Sequence, residues 1–154
     1  MQNATKKLTL EQVDRKIKQF SKLSESDIPV EGWIYTIRQA LGISLKQLGK
    51  RMQLGVSGVK EMERREKNYS ITIKSLNDFA SALELRLIYG FIPKDGSLEK
   101  MIEKKALEIA QQIVLKTSHS MALEDQENAP SRIKKAIKDR AQQIKNEMPK
   151  YLWD

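Results

Sequence analysis

The chain has 154 residues with 28 Lys and Arg against 20 Asp and Glu, a formal charge of +8, one histidine and no cysteine. That length predicts one modest core with additional helices, and the missing thiols exclude disulfide frameworks, thiolate zinc sites and cysteine nucleophiles. No apolar run approaches the roughly 20 residues that span a bilayer, and MQNATKKLTLEQ lacks the apolar stretch of a signal peptide, so the expected setting is the cytoplasm, with no membrane.

Thr9 with Gln12 three residues on predicts a helix start, and Leu10, Val13, Ile17, Phe20 and Leu23 make an apolar stripe over residues 9 to 23. SESDIPVEG is a polar turn, so a new unit is expected near Val30. WIYTIRQALG, SLKQLGKRM, VSGVKEMERRE and TIKSLNDFASAL then read as four short helices punctuated by Gly42, by Gln53 to Gly55, and by KNYS. ELRLIYGFIPKDGS lacks a helical stripe and ends at a proline and an Asp-Gly turn, which predicts a short strand over residues 85 to 91.

From Ser97 a long helix is expected, with Leu98, Met101, Ile102, Ala106, Ile109, Ile113, Leu115 and Met121 at mixed spacings and a break near Thr117. ENAPSR is a proline-containing linker, and RIKKAIKDRAQQIKNEM a last basic helix that ends before Pro149. The expected fold is mainly all-α with one short strand and a C-terminal helical extension. It divides as residues 1–29, 30–92 and 93–154.

The charge is unevenly spread. Residues 33 to 75 carry nine basic and three acidic side chains, whereas residues 76 to 130 carry six and nine. Such a local surplus is the pattern of a polyanion-binding face rather than of a generally basic protein. It coincides with SLKQLGKRMQLGVSGVKEME, two short helices around a tight turn, which fits a helix-turn-helix whose second helix enters the major groove of DNA. Leu45, Leu48 and Met52 are expected to face the core from the first helix and Val59 and Met62 from the second, with Gly49 permitting close approach. Val56, Ser57, Lys60 and Glu61 fall on the exposed side.

Residues 31 to 83 resemble the Xre, or lambda repressor-like, family without a gap through SLKQLGKRMQLGVSGVKEMERRE and ITIKSLNDFASAL. The resemblance implies a lambda repressor-like helix-turn-helix domain binding double-stranded operator DNA, commonly as a homodimer. It also implies an ion pair between Arg38 and Glu63, and base-reading positions at Val56, Ser57 and Glu61. Gln53 stands where the family usually has a turn glycine, and Gly55 and Gly58 replace longer polar residues. Lys46, Lys50, Arg64, Arg65 and Lys67 are the candidates for phosphate contacts, and Lys60 joins them among the DNA-binding residues on the exposed side of the second helix. Val56 suits a thymine methyl and Glu61 a cytosine amine.

TSHSMALEDQ holds the only histidine, His119. Catalysis there needs an orienting third group and an oxyanion site, and one histidine without cysteine is a poor start for a metal site; no enzyme activity, metal or cofactor is expected. A polar helix end is the plain reading. From the helix-turn-helix through LRLIYGFIP to HSMALEDQ, the chain resembles the mobile mystery protein A family, whose genes commonly lie beside one for a Fic-domain protein. Antitoxins of Fic enzymes share Ser or Thr, three residues, Glu, then Gly or Asn, and Ser120 to Glu124 match the first five positions, with Asp125 at the sixth.

Ser120 and Glu124 lie one helical turn apart and so share a face. The resemblance implies that Glu124 occupies an arginine of the partner toxin that otherwise holds a phosphate of ATP. The function it implies is a DNA-binding antitoxin and repressor that inhibits an AMP-transferring Fic toxin and autoregulates its operon. The alternative is a stand-alone Xre-type regulator whose C-terminal helices dimerise.

Overall fold

The computed structural model of the chain describes residues 2 to 123 and 129 to 154. Among these, all regular structure is helical: α1 (Gln2–Lys18), α2 (Trp33–Ala40), α3 (Leu45–Met52), α4 (Val56–Lys67), α5 (Ile73–Ala82), α6 (Leu98–Leu123) and α7 (Pro130–Glu147), with 3-10 turns at Glu25–Asp27 and Lys150–Trp153. No described helix is long and apolar enough to cross a membrane. The chain divides into two compact units, Lys22–Gly90 and a discontinuous one joining the stretch up to Ser21 with Phe91–Asp154.

In Lys22–Gly90, Ile34, Leu48, Val59, Met62 and Phe79 form the buried core, with Ile37, Leu45, Met52, Leu76 and Leu83 packed against it. One or two residues from each of the four short helices reach it. Burying a side chain of this size contributes about 1.5–3 kcal/mol. Local capping sets the helix starts: Ser44 accepts from the backbone N–H of Gln47 while the Gln47 side chain accepts from the N–H of Ser44, and Thr72 accepts from the N–H of Ser75.

The second unit is built on an antiparallel pair, α6 against α7. Ile102, Ala106 and Ala110 of α6 are buried with Ile144 of α7 and Leu152, and Leu10 of α1 packs on the same cluster. Alanines at two of the three buried α6 positions let the helices approach closely. Lys145 links the pair through Glu103 at 2.5 Å and Glu99 at 3.0 Å. Asp14 of α1 accepts from the backbone N–H groups of Leu98 at 2.7 Å and Glu99 at 3.0 Å, capping α6 from a distant part of the chain. The N-terminal helix therefore belongs with the C-terminal helices, and the expected three-segment division becomes two units.

Several expected boundaries move. α1 runs from Gln2 to Lys18 rather than over residues 9 to 23: Thr9 lies inside it, its hydroxyl donating to Thr5 O at 2.9 Å instead of capping a start, and Phe20 and Leu23 of the expected stripe fall beyond its end. α6 continues through Thr117: the hydroxyls of Thr117 and Ser120 donate to Ile113 O and Lys116 O of their own helix and compete for no cap. The last helix starts earlier than expected, with Pro130 in its first turn, where a missing N–H costs nothing.

The strand expected over residues 85 to 91 is not formed, and no strand occurs among the described residues. A strand is held by a hydrogen-bonded neighbour, and the chain offers this segment none. Ile88, Tyr89 and Phe91 stand exposed.

Candidate nucleic-acid interface

α3 and α4 are joined by three residues, Gln53 to Gly55. The tightness of that turn rests on two positions. Gln53 ends α3 in the left-handed conformation, φ 57° and ψ 41°, and Leu54 N–H returns to Gly49 O at 2.8 Å. A side chain at position 49 would place its Cβ 2.5 Å from Leu54 O, closer than such atoms approach, so only glycine fits beneath the turn. The expected approach role of Gly49 is thus to the turn carbonyl first and to Val59 of α4, at 3.5 Å, second.

Behind this pair sits Arg38. Its Nε donates to Glu63 Oε1 at 2.6 Å, its Nη2 to Glu63 Oε2 at 3.4 Å and its Nη1 to Ile43 O at 3.2 Å, with the guanidinium over the Tyr35 ring. Both side chains are nearly buried. The pair ties α2, the α2–α3 turn and α4 together, which makes it a structural bond of the domain rather than a surface group.

On the outside, Val56 and Ser57 open α4 exposed, and Lys60 and Glu61 follow one turn on. Lys46 and Lys50 lie one turn apart on α3, both exposed. The cations of this surface fall into two sets. Lys46, Lys50 and Lys60 meet no carboxylate among the described residues. Arg64 makes a two-pronged bond to Glu61, at 2.6 and 2.8 Å, and Arg65 donates to the same carboxylate at 3.0 Å. Those hydrogen bonds, Arg64's first, lower the Glu61 pKa to about 2 and raise that of Arg64. Lys67 is held by Glu31 at 2.8 and 2.9 Å.

Glu61, the candidate acceptor for a cytosine amine, has its oxygens engaged by two arginines. The spacing that carries this, Glu61 followed at i+3 and i+4 by Arg64 and Arg65, is visible in the sequence. Glu31 on Lys67 spans 36 positions and has no local signal. Glu66, absent from the expected site, caps α2: its carboxylate accepts from Trp33 N at 2.9 Å and Ile34 N at 2.7 Å.

In the other unit, Ser120 is exposed near the end of α6, as is His119. Glu124 and Asp125 lie outside the described residues. Among the described residues, no group of three or more His, Asp or Glu gathers as a metal site would require.

The chain matches no family model, no curated protein and no solved structure.

Proposed function

We propose that the chain binds duplex DNA through α3 and α4 and acts as a repressor and antitoxin. The observation that carries the DNA half is the pairing of a tight three-residue turn with a solvent face that leaves Lys46, Lys50 and Lys60 without carboxylate partners among the described residues. Unpaired lysines beside an exposed helix start are what sequence-independent phosphate binding requires. Val56 and Ser57, exposed at the first turn of α4, are the side chains in position to read base edges. The surplus of nine basic over three acidic residues between positions 33 and 75 favours the same face.

The antitoxin half rests on the likeness of Ser120 to Glu124 to the inhibitory helix of Fic antitoxins. Ser120 is exposed on a long helix, the setting that insertion into another protein's cleft needs. The partner is a Fic-domain protein that transfers AMP, and the pair autoregulates its operon. A homodimer on two half-sites, with the exposed Ile88–Tyr89 segment covered by its symmetry mate, completes the reading.

The test is a band-shift titration of the chain on the DNA upstream of its own gene and on a random duplex at low salt, without and with the adjacent gene product. Binding without any partner protein, and no complex with the neighbour, leaves a stand-alone regulator. No binding to either duplex overturns the reading.

A further inference from the structure

Glu61 lies in the middle of the surface proposed for DNA, one turn from Ser57 and one turn from Arg64, yet it carries the charge that DNA repels. Its two oxygens take both donors of one Arg64 edge and the Nε–H of Arg65. That is the fork geometry by which an arginine otherwise grips a phosphate. Resting on the DNA-binding reading of α3 and α4, we infer that Glu61 is a built-in competitor for phosphate: it holds Arg64 and Arg65 in the free protein and yields them to the DNA backbone on binding.

The balance of strengths favours exchange. Arg64, Arg65 and Glu61 are each substantially exposed, with side-chain exposures of 60%, 55% and 42%, so water and salt weaken the pairs. A phosphate in the dense field of a duplex is the stronger anion for the same forks. Breaking the pairs subtracts from every DNA complex alike, whatever its sequence. Glu61 thus limits sequence-independent affinity while leaving Val56 and Ser57 to discriminate.

The experiment compares the full chain with Glu61→Gln by fluorescence anisotropy on its upstream DNA and on a random duplex across a salt series. The Nε–H resonances of Arg64 and Arg65 are followed by NMR in both proteins, free and DNA-saturated. The expected result is that Glu61→Gln binds both duplexes about three- to tenfold tighter with an unchanged log–log salt slope, because both proteins end on the same phosphates. The arginine resonances should differ between the two free proteins and converge on DNA. Unchanged or weaker binding by Glu61→Gln, or wild-type arginine resonances that do not move on DNA, overturns the competitor role while leaving the DNA reading intact. Loss of affinity confined to the upstream DNA would instead make Glu61 a base reader. Absence of binding by either protein at low salt overturns the DNA reading itself, and the free-protein spectra still report on the Glu61 pairs.

Discussion

Gly32 and Glu66 occupy one place between them. Gly32 precedes α2 with φ 87° and ψ 161°, and a Cβ built there would lie 2.7 Å from Glu66 Oε1, the atom that accepts from Ile34 N. The backbone conformation admits essentially only glycine, at a cost of about 1–3 kcal/mol for other residues. The Glu66 cap adds about 1–2 kcal/mol as a carboxylate on a helix N-terminus. Gly32→Ala and Glu66→Ala are each expected to lower stability in urea unfolding followed by circular dichroism. The double variant should lose less than the sum, because the same carboxylate causes the clash and makes the cap. Strict additivity would refute that coupling.

Arg38 and Glu63 lead to a second expectation. Arg38→Ala leaves a nearly buried carboxylate with no guanidinium, a loss of about 3–5 kcal/mol. Replacing both partners with methionine removes the charges together and should recover most of it. Thermal melts of the three proteins decide the matter: a double variant as unstable as Arg38→Ala would mean that the Arg38 bond to Ile43 O, rather than the ion pair, sets the cost.

Gln53 is a place where stability can be raised. Its left-handed backbone costs a non-glycine residue about 1–2 kcal/mol, which glycine avoids. Gln53→Gly is therefore expected to stabilise the Lys22–Gly90 unit by about 1 kcal/mol. Its side chain is exposed and makes no hydrogen bond that glycine would remove. A lower melting temperature would show that the turn is held by something other than its backbone geometry.

The helices of this unit are legible in the sequence because their punctuation is local. Gly42, Gln53 to Gly55 and the KNYS stretch mark ends within a few residues of the apolar positions they bound, and Leu48, Val59 and Met62 are buried as their spacing predicts. Glu66 and Asp14 are illegible for the opposite reason. They cap helices 32 and 84 positions away, and nothing in their neighbourhood distinguishes them from surface carboxylates. The sequence misleads at residues 85 to 91 because β-rich composition records an apolar segment, whereas a ladder also needs a partner. At the candidate site the pairing of Glu61 with Arg64 and Arg65 is readable from its helical spacing, whereas that of Lys67 with Glu31 is not, so the division of six basic side chains into three paired and three without a carboxylate is only partly visible in the sequence.

That division gives the surface proposed for DNA an order of expected effects. Lys46→Ala, Lys50→Ala and Lys60→Ala each remove a cation with no competing carboxylate among the described residues. Each is expected to weaken binding to all duplexes and to flatten the log–log salt slope by about 0.9 for every phosphate left without its lysine. Lys67→Ala, whose charge Glu31 already answers, should do less. Val56→Ala and Ser57→Ala should alter preference among duplexes with little change in slope. Anisotropy titrations at several salt concentrations measure both quantities. A Lys67→Ala effect as large as that of Lys60→Ala would show that intramolecular pairing does not rank these cations.

The antitoxin proposal is tested at Glu124, four positions after Ser120 and outside the described residues. Glu124→Ala is expected to leave folding and DNA binding unchanged while altering the partner's activity, with circular dichroism and band shift as the controls. It should release AMP transfer by the Fic-domain partner, because the arginine it occupied becomes free for ATP. Ser120→Ala should act in the same direction more weakly: a neutral hydrogen bond is worth less than a charge-assisted one. In the free protein its hydroxyl is already satisfied by Lys116 O. His119→Ala should leave inhibition largely intact, as adjacent helical residues point about 100° apart. Adenylylation assays with radiolabelled ATP on the partner co-purified with each variant separate these cases. Silence from Glu124→Ala alongside an active partner purified alone would mean that inhibition comes from another surface of the chain.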